Sequence, residues 1–170
     1  MKKVTLSPRE MRAACQHGLE RYISARENNY RQTTVVDLSH DRGSIDILSS
    51  MAEMATAKAL NLYWSGVEGF NCPDVGGCFE VRSTALKTGS LVVSVKDPDD
   101  QIIILTICEP PVFTLIGWTV AGKAKLRDDL VFKKGDRHCW MVPQSELEDL
   151  DALKIKQAPR MGEDEWMLDL

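Results

Sequence analysis

Four side chains of this 170-residue chain have the types and spacing to do chemistry together: Glu53, Asp74, Glu80 and Arg82. Asp74 and Glu80 are separated by five residues, and Gly76-Gly77 between them lets the backbone turn sharply. Two carboxylates held close repel each other, and a divalent cation relieves the repulsion. Hard oxygen ligands of this kind suit Mg²⁺ or Mn²⁺ better than zinc. Arg82 keeps its positive charge and is effectively unable to lose its proton, so it can clamp a phosphate bidentately but cannot serve as a base.

Two elements must position these groups. Asp46 to Tyr63 places Leu48, Met51, Ala52, Ala55, Ala59 and Leu62 close to the 3.6-residue period of a helix. Glu53 stands beside that stripe, among small residues that allow close packing on a sheet. An acid buried there is costly without a cation or a donor. Phe79 to Arg82 alternates apolar and charged residues, so an extended strand puts Glu80 and Arg82 on one face and Phe79 and Val81 on the other. The same pattern also fits ordinary turn and surface acids, with Glu53 a solvated acid just off the stripe.

The ordered set resembles the PD-(D/E)XK nuclease superfamily, in which a helix glutamate is followed by an aspartate and then by an acid-x-lysine on a strand. It is closer still to a group of phage and prophage proteins with a glutamate-bearing helix, "DVGG…VR" and a "GW…G.A" segment. This chain offers Asp74 to Gly77, Val81-Arg82, Gly117-Trp118, Gly122 and Ala124, so the resemblance covers roughly residues 45 to 150. It implies a restriction-endonuclease-like fold and Mg²⁺- or Mn²⁺-dependent cleavage of DNA phosphodiesters. Asp74, Glu80 and the Val81 carbonyl would hold the metal, and Glu53 would complete the site directly or through water. Arg82 stands where the superfamily has lysine, and it cannot take over proton transfer from that lysine. The alternative is a catalytically inactive module on the same fold, binding DNA or protein.

The remaining composition sets bounds on these readings. With 44% hydrophobic and 27% charged residues the chain reads as one ordinary globular domain. Net charge is −4, which argues against a protein that coats nucleic acid non-specifically. No apolar run is long enough for a membrane span and the amino terminus carries no secretory leader, so a cytoplasmic location without membrane contact is expected. The scattered cysteines, Cys15, Cys72, Cys78, Cys108 and Cys139, read as reduced thiols and lack the spacing of a zinc or cluster site. A homodimer, or a phage or host protein partner, is left open.

The expected fold is α/β in the α+β sense: residues 1–156 form one domain with a central mixed, largely antiparallel sheet flanked by helices, and 157–170 a loosely attached acidic tail. Ser7-Pro8-Arg9-Glu10 opens a helix running to about Arg26, interrupted only by Gly18. Residues 32 to 44 connect it to the Glu53 helix, which Ser44 caps. Leu91 to Val95 and Gln101 to Ile107 are expected to pair as an antiparallel hairpin, which Pro110-Pro111 ends. Val112 to Val120 is a third strand, where Gly117 marks a bulge or a close backbone approach. Lys123 to Arg137 reads as a basic surface excursion and, with Trp118 and Trp140, as a candidate DNA-contacting surface or simply loop and core. Trp140 to Val142 is a short strand, and Ser145 opens a helix to about Lys154. Lys87 reads as a loop charge or as a displaced lysine of the motif, and His17 as a helix-face residue in preference to a catalytic base.

Overall fold

The structure is a computed structural model that describes residues 1–28, 42–64, 66, 73–134 and 137–153. The expected tail 157–170, Cys72 and most of the connection before the Glu53 helix lie outside the described residues.

Strand β1 (Lys2–Thr5) leads into helix α1 (Pro8–Glu27). Ser7 caps α1: its hydroxyl accepts from the Glu10 N–H at 3.2 Å while the Ser7 N–H donates to the Glu10 carboxylate at 2.6 Å. Helix α2 (Arg42–Leu60) carries Glu53. It begins two residues before Ser44, which lies within the helix and does not cap it. Gly18 is where the two helices cross, since a Cβ there would stand 2.5 Å from the Ile47 Cα. The glycine that interrupts α1 in sequence is thus what lets α2 approach it.

Four strands form the first sheet in the order β1-β5-β4-β2: β2 (Phe79–Thr84), β4 (Ile102–Glu109) and β5 (Val112–Val120) beside β1. The β2–β4 pair is parallel and the others are antiparallel, so the sheet is mixed, as the sequence leads one to expect. Three further strands, β3 (Leu91–Ser94), β6 (Val131–Lys134) and β7 (Arg137–Val142), make a second antiparallel sheet in the order β3-β7-β6. The expected hairpin between β3 and β4 is therefore not formed. Instead β3 crosses to pair with β7, and β4 turns at Pro110-Pro111 to pair with β5. Both edges of β4 are taken, one by β2 and one by β5, and residues 103 to 108 are all buried, as suits a central strand packed on both faces.

The layers follow from those faces. Ala52, Ala55 and Ala59 of α2 pack on Val81, Ile104, Phe113 and Leu115, and buried Thr56 meets Thr106 of β4 hydroxyl to hydroxyl at 3.0 Å. On the other side Ile103 and Leu105 pack against Leu91, Val93 and Val142 of the second sheet. Helix α3 (Ala121–Lys125) closes the end of that second core with Ala121 and Ala124. The register of β5 against β4 slips between Leu105 and Thr106, which leaves Ile116 as a bulge. At the neighbouring Gly117 a Cβ would meet the Glu148 carbonyl at 2.6 Å, so the close approach is real.

Two further expectations are corrected. The Lys123 to Arg137 segment is not a free basic excursion, since it folds into α3, a short 3₁₀ turn and β6, with Lys123 on Glu148, Lys125 on Asp99 and Arg127 on Asp129 and Glu146. The Ser145 helix is replaced by two 3₁₀ turns, Gln144–Glu146 and Leu150–Ala152. Between them Glu148 bridges to Trp118, exchanging backbone hydrogen bonds of 2.9 and 3.1 Å, and that pairing interrupts any helical ladder.

Candidate functional site

The turn that carries Asp74 lies against the edge of β2 that faces away from β4. Phe79 and Val75 exchange two backbone hydrogen bonds of 3.0 Å, and the Val81 N–H donates to the Asp74 carboxylate at 2.8 Å. Residues 79 and 81 thus direct their amides away from β4 toward Asp74. In a strand the carbonyl of a residue points to the same side as its N–H, so the Val81 carbonyl faces that edge as well. Gly76 and Gly77 both take positive φ, 60° and 66°, which is the sharp reversal this return requires.

Glu80 and Arg82 stand on the face of β2 turned toward the second sheet, opposite Phe79 and Val81, which are buried against the helices. Arg82 donates from Nη1 to Glu80 and from Nη2 to Asp97 at 2.8 Å. Asp97 belongs to the turn after β3: its other oxygen accepts from the Ser94 N–H at 2.8 Å, and Lys125 donates to its backbone carbonyl. The guanidinium thereby ties the edge strand of one sheet to a turn of the other.

Glu53 comes from the helical side. It is 3% exposed and takes a bidentate pair from Arg21 of α1, Nη1–Oε1 2.7 Å and Nη2–Oε2 3.0 Å. Trp64 adds an indole N–H to Oε2 at 3.2 Å. Both Glu53 oxygens are therefore occupied by donors, and burial of this acid is compensated as its position demands.

Asp74 sits between these two arrangements. Burial first, and then the charges of Glu53 and Glu80, push its carboxyl up to about 8, while the Val81 N–H and Arg21 act in the opposite direction. Glu53, Asp74 and Glu80 are thus close enough to be felt together at Asp74. Among the described residues, however, no three His, Cys, Asp or Glu side chains are grouped so as to hold a metal ion by themselves. The Asp74 carboxylate and the Val81 carbonyl lie along the β2 edge, and the Glu80 carboxylate, on the face toward the second sheet, is close enough for its charge to act on Asp74. Two carboxylates with a carbonyl fit Mg²⁺, which is commonly held by one or two carboxylates and completes its shell with water and substrate phosphate.

Three residues of this arrangement have no signal in the local sequence. Arg21 looks like any exposed helix cation until α1 crosses α2, Trp64 lies just past the end of α2, and Asp97 reads only as a turn acid. Lys87 pairs with Glu109 at 2.9 Å and is well exposed, and His17 stacks edge-on against Trp64 with ring centres 5.0 Å apart. Trp118 donates its indole N–H to the Asp149 carbonyl at 2.9 Å, which makes it part of the packing. Cys15, Cys78, Cys108 and Cys139 are free thiols. No helix among the described residues is long and apolar enough to cross a membrane.

Compared with protein-family models, with curated proteins and with solved structures, the chain finds no match in any of the three.

Proposed function

We propose that this chain is a metal-dependent nuclease of the PD-(D/E)XK type, cutting DNA phosphodiesters with Mg²⁺ or Mn²⁺ in a cytoplasmic, phage-derived setting. The observation that carries the reading is Asp74: a carboxyl held at a strand edge beside two other acids, pushed up to about 8, with one oxygen fixed by the Val81 N–H. An acid kept in such a place is unfavourable by itself and becomes favourable when a cation is shared with Glu80.

Asp74, Glu80 and the Val81 carbonyl would hold the ion, which supplies water activation and neutralisation of phosphate charge when bound. Glu53 contributes negative potential at Asp74, and Arg21 and Trp64 fix it in the protein. Arg82, two residues along the same face as Glu80, is the group with the fork geometry to bind a phosphate oxygen pair. Its place as the cation of the motif makes it a charge-stabilising and not a proton-accepting residue.

A second reading is favoured by one specific observation, that Arg21 and Arg82 are both already committed to acids of the chain. Such a closed network suits a structural module that binds DNA or a protein without cutting. Titration with Mn²⁺ separates the two readings: a nuclease binds it through Asp74 and Glu80 and loses it in Asp74→Ala and Glu80→Ala, whereas the module is indifferent to both changes.

A further inference from the structure

Arg82 stands between two acids that are not equivalent. Glu80 lies on the same strand as the Val81 carbonyl, one residue before it, whereas Asp97 is anchored in the turn after β3 of the second sheet. One Asp97 oxygen accepts from Ser94, its carbonyl from Lys125, and its remaining oxygen takes Arg82 Nη2 at 2.8 Å. Its side chain is 11% exposed, against 25% for Glu80 and 29% for Arg82. The turn that carries it is held further by Lys125 on Asp99 at 2.8 Å. Asp97 is thus a fixed acceptor and Glu80 the more accessible one.

Resting on the nuclease reading above, we propose that Asp97 is the positioning residue of the site. It holds Arg82 on the second-sheet side, so that Glu80 can leave the guanidinium for a divalent cation without leaving Arg82 unpaired. One guanidinium between two carboxylates carries a single positive charge against two negative ones, so the set keeps an acid to spare. With Asp97 removed, Arg82 has Glu80 alone as its partner, and a cation must compete with the full ion pair. With Arg82 removed, that competition disappears and Asp97 loses its influence.

The prediction is a sign pattern in the affinity for Mn²⁺ alone, measured by calorimetric titration on the wild-type protein, Asp97→Asn, Arg82→Gln and the double variant. Asp97→Asn is expected to weaken Mn²⁺ binding by about tenfold, the scale of residues that orient metal ligands. Arg82→Gln is expected to tighten it, and the double variant to match Arg82→Gln. A merely structural Asp97 would give the same loss in both backgrounds, which overturns the proposal, as does an unchanged affinity in a folded Asp97→Asn. Asp97→Glu, which keeps the carboxylate charge, should restore affinity, and its failure to do so in a folded protein also counts against the assignment. If the wild type itself does not bind Mn²⁺, the metal reading fails, an outcome distinct from wild-type binding that Asp97 does not modulate.

Discussion

Arg21 of α1 and Glu53 of α2 are joined by two hydrogen bonds, 2.7 and 3.0 Å, across the point where the helices cross. The pair does two things at once. It locks the helical layer together, and it neutralises an acid whose charge is felt by Asp74 on the strand side. Removing Arg21 is expensive because it leaves the buried Glu53 charge without its cation, with the Trp64 N–H as its remaining donor.

Arg21→Ala should therefore destabilise the fold by about 3 kcal/mol in urea unfolding, the scale for breaking one side of a buried pair. Arg21→Met combined with Glu53→Met should recover most of that loss, since apolar side chains of similar size carry no desolvation penalty. A loss below about 0.5 kcal/mol for Arg21→Ala would mean that the pair behaves like an exposed one.

The raised carboxyl of Asp74 has a defined consequence for stability against pH. Its folded value is about 8 against an ordinary 3.8, so between these limits the folded protein holds a proton that the unfolded chain has lost. Stability therefore falls as pH rises from about 4 toward 8 and levels off above. Asp74→Asn keeps an acceptor for the Val81 N–H and removes the charge. Its melting temperature should match the wild type near pH 4 and exceed it near pH 8 by about 2–4 °C for each kcal/mol relieved. A difference that does not grow with pH would show that Asp74 ionises normally.

Gly18→Ala tests the helix crossing. Alanine is the better helix former by about 1 kcal/mol, yet its Cβ would stand 2.5 Å from the Ile47 Cα and 2.8 Å from the Asp46 carbonyl. Backbone cannot yield as a side-chain tip does, so net destabilisation of about 1–3 kcal/mol is expected. An unchanged or raised midpoint in thermal unfolding would contradict this packing.

Much of the helical layer is legible in sequence because its signals are local. The capping box at Ser7, the small-residue stripe of α2 and the alternation from Phe79 to Arg82 each act within a few residues, and the structure has all three. What could not be read is partnership across the chain. The β3 strand has the right residues to pair with either neighbour, and the nearer one is excluded because β2 and β5 take both edges of β4. Ser145 to Glu148 has the letters of a capping box, but the backbone of Glu148 is claimed by Trp118, a strand residue thirty positions earlier in sequence. The acids Glu53, Asp74 and Glu80 are legible in the sequence as a set, whereas Arg21 and Trp64, which hold Glu53, and Asp97, which holds Arg82, depend on contacts between layers. Arg82 likewise reads as the cation of a motif, and its second partner comes from another sheet.

The measurement that bears most directly on the central claim is cleavage of linear, nicked, branched and single-stranded DNA by the wild type and by Glu80→Ala, each with Mg²⁺ and with Mn²⁺. The nuclease account predicts metal-dependent cutting of at least one substrate by the wild type and none by Glu80→Ala. Well-folded wild-type protein that cuts none of them and has no measurable affinity for either ion would contradict it, and would leave the same fold as a binding module.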